Sequence, residues 1–143
     1  MIKSILIPQL IYNALKDNES IKNIVNNRIF PLVAESGTKF PFVVFSRDNI
    51  SEKTNTKDGL TEDTVTFTIT CVHDKYFECL KLAQEIREAV EVRWIYDDDI
   101  NIKVRDIELL SISETYSENA YVEELSFSCN VSYYIKDKDK DKE

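Results

Sequence analysis

Glycine is almost absent from this chain, with two residues among 143. Gly37 and Gly59 stand far apart, so the sequence contains no glycine-rich loop of the kind that cradles phosphates. Histidine occurs once, and the three cysteines are widely spaced without a C-x-x-C pair, which argues against a zinc cluster. No apolar run approaches the ~20 residues that a membrane-spanning helix needs. These absences argue against proteins with a glycine-rich phosphate-binding loop, a zinc cluster or a membrane-spanning helix.

The charge balance is acidic, with 26 acidic against 18 basic residues and a formal net charge of -8. An acidic body argues against a phosphate-binding surface, because such a surface needs clustered lysine and arginine. It leaves open a role near DNA, since a wall along which DNA slides should repel it. Residues 136–143 hold four charges of each sign and are expected to form a disordered tail behind one domain, residues 1–135.

The most informative stretch is residues 64–92. Threonines alternate strictly with Val65, Phe67, Ile69 and Cys71, which predicts a strand with one buried face. The period then changes to that of a helix of about residues 74–91, with Asp74 placed to cap it. The apolar positions at helical spacing are Phe77, Leu80, Ala83, Ile86 and Val90.

Two N-terminal helices precede this unit, the first with Pro8 in its opening turn and the second ending at Asn26 and Asn27. Residues 40–45 predict a strand, and the polar residues 48–63 are interpreted as a long hairpin tip. After the main helix, a strand with a bulge near Asp106, a turn at residues 113–119 and an alternating strand at 125–135 are expected. The fold class is therefore α+β: a mainly antiparallel sheet of about four strands with helices on one face.

The sequence contains two weak candidates for catalytic or metal-binding chemistry. Cys71, His73 and Asp74 resemble a nucleophile set, but Cys71 and His73 share the buried strand face and Asp74 suits a helix cap. Asp97, Asp98 and Asp99 offer oxygen ligands for a hard cation, yet no further ligands follow at the spacing of a calcium loop. A structural junction and a solvated turn are the preferred interpretations. We expect no enzymatic activity, cofactor or bound metal.

The order of motifs resembles the family of tailed-phage tail-completion proteins, also called tail-to-head joining proteins. The sharpest elements are R-I-F-P at residues 28–31 and P-F-V-V-F at 41–45. The remaining matches are a long polar hairpin, a threonine-rich strand, H-D-K-Y at 73–76 opening the helix, I-E-L at 107–109 and the closing strand at 125–134. The chain differs from the family in its low glycine and alanine content and in its Lys-Asp tail.

This resemblance implies a structural virion protein without catalytic residues, related in fold to tail terminators. It implies a homo-oligomeric ring, a hexamer, at the head-proximal end of the tail tube, assembled in the bacterial cytoplasm. Its partners would be the tail tube protein and the head-completion or connector protein, with DNA passing through the lumen without specific binding. The alternative hypothesis is a small cytoplasmic regulatory or ligand-binding domain, which requires a defined apolar pocket.

The candidate contact surface is the polar segment that interrupts the strands. It carries two apolar residues, Ile50 and Leu60, among polar neighbours, which suggests contact with a neighbouring subunit or with the tube. An equal alternative is a mobile hairpin tip that contacts nothing. The predicted interface residues are Asn49, Ile50, Glu52, Lys53, Lys57 and Leu60.

Overall fold

The computed structural model of the chain describes residues 3–55, 59–91, 95–97 and 101–134. The predicted tail and two of the three consecutive aspartates, Asp98 and Asp99, lie outside the described residues. In chain order the elements are a 3-10 helix (Lys3–Leu6), α1 (Ile7–Lys16), α2 (Glu19–Val25), β1 (Ile29–Pro31), β2 (Phe42–Asn55), β3 (Leu60–His73), α3 (Tyr76–Glu91), β4 (Ile95–Asp97), β5 (Ile102–Ser117) and β6 (Ala120–Tyr134).

The described strands form one sheet in the order β1-β2-β3-β6-β5-β4. Neighbouring strands are antiparallel except for the pair β1 and β2. Helices α1 and α3 pack on one face of this sheet. The predicted α+β class, mainly antiparallel sheet and long hairpin are confirmed. The sheet has six described strands rather than about four because two three-residue strands, β1 and β4, border the four long ones.

The N-terminal helices form for the local reasons that the sequence indicates. Pro8 lies in the first turn of α1, where its missing N–H costs no intrahelical hydrogen bond. The Asn18 side chain caps α2 by accepting a 3.0 Å hydrogen bond from the Ile21 backbone N–H. Asn26 ends α2 at a φ of 57°, in the left-handed region that asparagine tolerates.

Helix α3 begins later than predicted and buries three of the five predicted stripe residues, Ala83, Ile86 and Val90. Its first residue is Tyr76, so Asp74 stands too early to be its N-cap and lies beside His73 instead. Phe77 is 73% exposed although it falls in the predicted apolar stripe, and the buried side of the helix begins at Cys79. The periodicity indicated the helix correctly, but Phe77 lies on the side of the first turn opposite the buried Cys79.

The hairpin predicted over residues 48–63 is present but mostly paired, and the turn predicted at 113–119 was wrong in extent, because the strands are longer than their apolar patterns. Residues 48–63 belong mainly to β2 and β3, and two bulges in β2 displace the alternation that would have marked a strand. Residues 113–117 continue β5, and the turn is reduced to Glu118 and Asn119, whose φ values of 52° and 63° suit a two-residue hairpin. The bulge predicted near Asp106 is confirmed between Arg105 and Glu108.

The hydrophobic core lies between α1, α3 and the helix-covered face of the sheet. Phe67 on β3 and Phe127 on β6 stack at its centre with ring centroids 5.2 Å apart. Among the described residues, no element covers the opposite face, which we call the open face. Its central side chains are short and polar: Thr64, Thr66, Thr68 and Thr70 on β3, and Ser126, Ser128, Asn130 and Ser132 on β6.

Candidate assembly surfaces

Four of the predicted interface residues lie where β2 and β3 approach their hairpin. Asn49 pairs with Thr66 and Glu52 with Asp63, and both Asn49 and Glu52 are exposed. Ile50 packs partly against the core, which gives its apolar side chain a role inside the subunit. Leu60 begins β3 and is half-buried.

The other two predicted residues give no further information, because the side chain of Lys53 and the whole of Lys57 lie outside the described part of the structure. The hairpin projects from the end of the sheet that also carries the C-terminal end of β6. That these residues contact another protein stays a prediction.

The possible nucleophile set has geometry that suits structure rather than catalysis. The Cys71 thiol points to the Cys79 carbonyl oxygen at 3.9 Å, and the Cys79 thiol points back to the Cys71 carbonyl at 3.8 Å. The hydrogen bond between the two thiols and the burial of Cys71 raise the Cys71 pKa well above its usual value, which keeps it a weak nucleophile. His73 Nδ1 lies 3.0 Å from Asp74 Oδ1 and 3.2 Å from the Lys75 backbone nitrogen. Within the described residues, no group of three potential metal ligands converges.

Near the same end of the sheet, a buried carboxylate stands out. Glu123 is 4% exposed, and its Oε2 has no hydrogen-bond partner. It faces Glu114 across the β5–β6 ladder, and the Tyr76 hydroxyl hydrogen-bonds to Glu114. Burial and then the Glu114 carboxylate raise the pKa of Glu123 from 4.5 to about 7. Glu123 is therefore largely protonated in mildly acidic solution and shares that proton with Glu114.

The sheet has two stepped, partly unpaired edges. Strand β1 covers only residues 43–45 of β2, and β4 covers only residues 102–104 of β5. In the described structure, no strand pairs with the outer side of β2 beyond residue 45 or of β5 beyond residue 104. Unpaired strand edges are available for association with another chain unless they are blocked. The two unpaired stretches lie on opposite edges of the sheet, and each extends toward a different end of the strands.

The second open edge ends in residues 110–120, the last part of β5 and its turn into β6, which we call the β5–β6 tip. Residues 110–119 are all exposed. Leu110, Ile112 and Tyr116 expose 56%, 45% and 61% of their surface. The tip contains Glu114 and Glu118 and no basic residue. It combines an apolar surface with negative charge, a pattern typical of a contact site rather than of a solvated turn.

Two adjoining clefts lie beside β1, at the opposite edge, and share Tyr12 and Ile29. We call them together the α1–α2–β1 groove. The first, of about 380 Å³, is mainly apolar and is lined by Pro8, Pro31 and Phe45 in addition to the shared residues and Gln9. The second, of about 440 Å³, carries two lysines and three asparagines: Lys16, Lys22, Asn23, Asn26 and Asn27. Among the described residues, no acidic side chain lines either cleft.

Sequence reasoning missed both the tip and the groove. Residues 113–119 were interpreted as a turn, and Ile112 was assigned to a strand without regard to its exposure. A possible signal was the presence of Tyr116 in a stretch with only polar immediate neighbours. The groove brings together residues far apart in sequence and has no sequence signal of its own.

No helix in the described residues is both long and apolar enough to span a membrane. A search of curated proteins found no match. A chain from a solved structure titled "Virion of native gene transfer agent (GTA) particle" is similar to this chain with a TM-score of 0.69 and 14% sequence identity. The similarity covers 85% of this chain and 91% of that chain, and at this identity it demonstrates a shared fold.

A family model supplies the stronger comparison. Residues 9–132 match the model described as Tail completion protein gp17. The match includes both segments that carried the predicted resemblance and covers every long strand up to the last two residues of β6. The family predicted from the sequence is therefore confirmed, and the chain belongs to the tail completion protein gp17 family.

Proposed function

We propose that this protein is a ring-forming subunit that closes the head-proximal end of a phage-like tail tube and joins it to the head connector. The observation that carries the proposal is the family match over residues 9–132. Family membership makes the chain a tail completion protein, a structural protein of a phage-like tail. The lack of enzymatic activity, the ring, its six-fold order, assembly in the host cytoplasm and the named partners are the finer parts of the proposal.

The two unequal sheet edges support a ring. A surface on one side of a subunit that fits a different surface on the other side makes a head-to-tail contact, and such contacts close into rings when the rotation allows it. The α1–α2–β1 groove and the β5–β6 tip lie on opposite sides of the sheet. They therefore offer two different surfaces of the kind that a ring requires.

The alternative of a small ligand-binding domain has little support in the core. A cavity of about 20 Å³ lies between α1, α3 and the sheet, lined by Ile7, Leu10, Phe67 and other apolar residues. That volume is near the minimum for a single water molecule. It is far below the several hundred Å³ of a typical small-molecule site, a size that the described structure reaches in the two open clefts of the α1–α2–β1 groove.

Native mass spectrometry across a concentration series, with and without tail tube protein, tests the ring. We expect closed rings of one order, six, at least when the tube protein is present. In the same assay, Glu52→Lys at the exposed β2–β3 hairpin is expected to preserve rings but weaken tube binding, if that hairpin contacts the tube. Glu88→Lys, on the exposed side of α3, makes the same change of charge and is the matched control. Chains that stay monomeric even with the tube protein would contradict the proposal.

We further propose that the open face lines the channel through which DNA passes. Threonine and serine side chains occupy most of its centre and present no positive charge to DNA. Among the side chains that the structure describes on this face, two basic residues are outnumbered by five acidic ones, and Arg105 is paired with Glu62. The basic residues are Lys103 and Arg105, and the acidic ones are Asp48, Glu62, Asp106, Glu108 and Glu124. Such a wall lets DNA move without binding it.

Adding lysines to this face should therefore create DNA binding that the wild-type ring lacks. Rings of the variant Thr66→Lys with Ser132→Lys are expected to bind short double-stranded DNA at least about tenfold more tightly at low salt, because each lysine that meets a phosphate releases counterions. The control variant, Gln84→Lys with Ser20→Lys, adds the same charge to exposed helix positions. Equal DNA binding by the two variants in a fluorescence-anisotropy titration would show that the open face does not line the channel.

A further inference from the structure

The β5–β6 tip and the α1–α2–β1 groove lie in the same rows of the sheet. One row runs from Pro31 through Phe45, Ile69 and Leu125 to Ile112. The next row whose side chains lie on the same face, toward the turn between β5 and β6, runs from Ile29 to Glu114. It passes through Val43, Cys71 and Glu123. A groove residue thus begins each row at one edge, and a tip residue ends it at the other.

The tip and the groove also lie on the same face. Cross-strand partners in an antiparallel pair project from the same side of the sheet. Phe45, Ile69 and Leu125 are buried beneath the helices, so their row partner Ile112 projects from the helix-covered side as well. The clefts of the groove are built from α1, α2 and β1 on this side. Copies placed side by side without a shift along the strands would bring the tip of one to the groove of the next.

The chemistry of the two surfaces matches row by row. The row of Ile112 ends at Pro31 and Phe45, which line the apolar cleft. The row of Glu114 ends at Ile29, where the lysine-bearing cleft begins, and Glu118 lies farther in the same direction. Apolar surface therefore meets apolar surface, and acidic side chains approach Lys16 and Lys22.

We propose that the β5–β6 tip of one subunit docks into the α1–α2–β1 groove of the next subunit, with Ile112 in the apolar cleft and with Glu114 and Glu118 facing Lys16 and Lys22. The occupant of the groove is a second copy of this chain. This proposal rests on the proposed ring and names the contact that would hold it together.

The main chain of β1 explains why side chains would make this contact. Pro31 has no N–H to donate, and its carbonyl accepts a 2.7 Å hydrogen bond from the Val33 N–H. The Ile29 N–H donates to the Asn27 carbonyl at 2.9 Å. These local bonds and the proline block the outer edge of β1 against continuous strand pairing. The neighbouring groove remains accessible for docking by side chains.

Charge reversal tests the electrostatic part of the contact. Glu114→Lys with Glu118→Lys, and separately Lys16→Glu with Lys22→Glu, are each expected to raise the protein concentration for half-maximal ring formation by about tenfold or more. The variant that carries all four substitutions restores opposite charges and should recover most of this loss. Circular dichroism of each variant checks that the monomer is folded. Failure of the fourfold variant to recover would contradict the assigned pairing.

Cysteine cross-linking tests the position directly and does not depend on charge. Ile112→Cys with Gln9→Cys places one thiol on the tip and one on an exposed groove residue. Oxidation of the assembled rings should yield a ladder of covalent oligomers, because the native cysteines are buried. The control pair is Ile112→Cys with Ser51→Cys. It would cross-link only if the subunits met through a different contact, between β5 of one subunit and the unpaired part of β2 of the next.

The possible results separate this inference from the proposed function. Rings that cross-link through Gln9→Cys support both. Rings that cross-link only through Ser51→Cys, or through neither pair, preserve the ring but overturn the docking of tip into groove. Wild-type chains that form no ring even with the tube protein overturn the proposed function, and this inference with it.

Discussion

Replacing Phe127 with alanine is expected to lower the free energy of unfolding by about 3–5 kcal/mol, the range for deleting a buried aromatic ring. Phe127 is 0% exposed, and its ring stacks on Phe67 at 5.2 Å. It lies on β6, which pairs with β3 on one side and with β5 on the other. The surrounding side chains are held by two paired strands and cannot collapse fully into the vacated volume. A domain of this size has a total stability of only about 5–15 kcal/mol, so the loss is a large fraction of it.

Urea denaturation of the monomer measures this effect. The midpoint should fall by about 2 M for a urea dependence of about 2 kcal/mol per M. Phe77→Ala is the matched control, since it removes the same ring from a position that is 73% exposed, and it should change stability by less than about 0.5 kcal/mol. Similar losses in the two variants would mean that Phe127 is not the centre of the core.

The centre of the fold was predictable because, along each strand there, residues at alternate positions are consistently either buried or exposed. Val65, Phe67 and Ile69 alternate with threonines, and the structure buries the first set and places the second on the open face. Prediction was poorer where a strand leaves the core. In β2 the bulges near residues 48 and 53 reverse the outward phase, so a paired strand has the sequence pattern of a loop.

From the sequence, a role in assembly could be predicted only through the resemblance to a family, and the surfaces involved could not be located. Residue patterns indicated a structural protein, and the paired motifs at residues 28–31 and 41–45 indicated its family. The docking surfaces depend on which strand lies at which edge. A groove between α1, α2 and β1 follows from the parallel pairing of β1 with β2, which no local periodicity encodes. The tip was overlooked because both sides of this part of the edge strand β5 are exposed, so no buried side imposes alternation.

The stability of the protein is expected to fall by about 2 kcal/mol between pH 5 and pH 7, and by about 3 kcal/mol over the whole titration, because of Glu123. Burial, followed by the Glu114 carboxylate, raises the pKa of this side chain to about 7, against 4.5 for an unperturbed glutamate. The folded state therefore keeps a proton that the unfolded chain has already released. Stability decreases with pH wherever the folded state binds more protons, so the loss begins near the unfolded pKa and ends above the folded one.

The other groups around Glu123 titrate largely outside this range. Hydrogen bonds from Tyr76 and from Glu123 lower the pKa of Glu114 below 4.5, so the stability that Glu114 contributes is lost only in more acidic solution. Tyr76, on α3, has a pKa raised above 10, and Cys71, on β3, has a pKa raised above 9. The hydrogen bond with the Cys71 thiol lowers the pKa of the neighbouring Cys79 thiol from its usual 9.0, and burial opposes this shift. The slope between pH 5 and pH 7 is therefore assigned to Glu123.

Glu123→Gln should remove this slope, because the amide cannot ionise and still offers a donor to Glu114. The variant is expected to match the wild type near pH 5 and to exceed its stability by about 3 kcal/mol at pH 8. Glu124→Gln removes the same charge from the adjacent, exposed position on the opposite face, and it should retain the slope. Urea unfolding at a series of pH values distinguishes the two. Parallel curves for Glu123→Gln and the wild type would mean that Glu123 ionises normally in the folded protein, despite its burial.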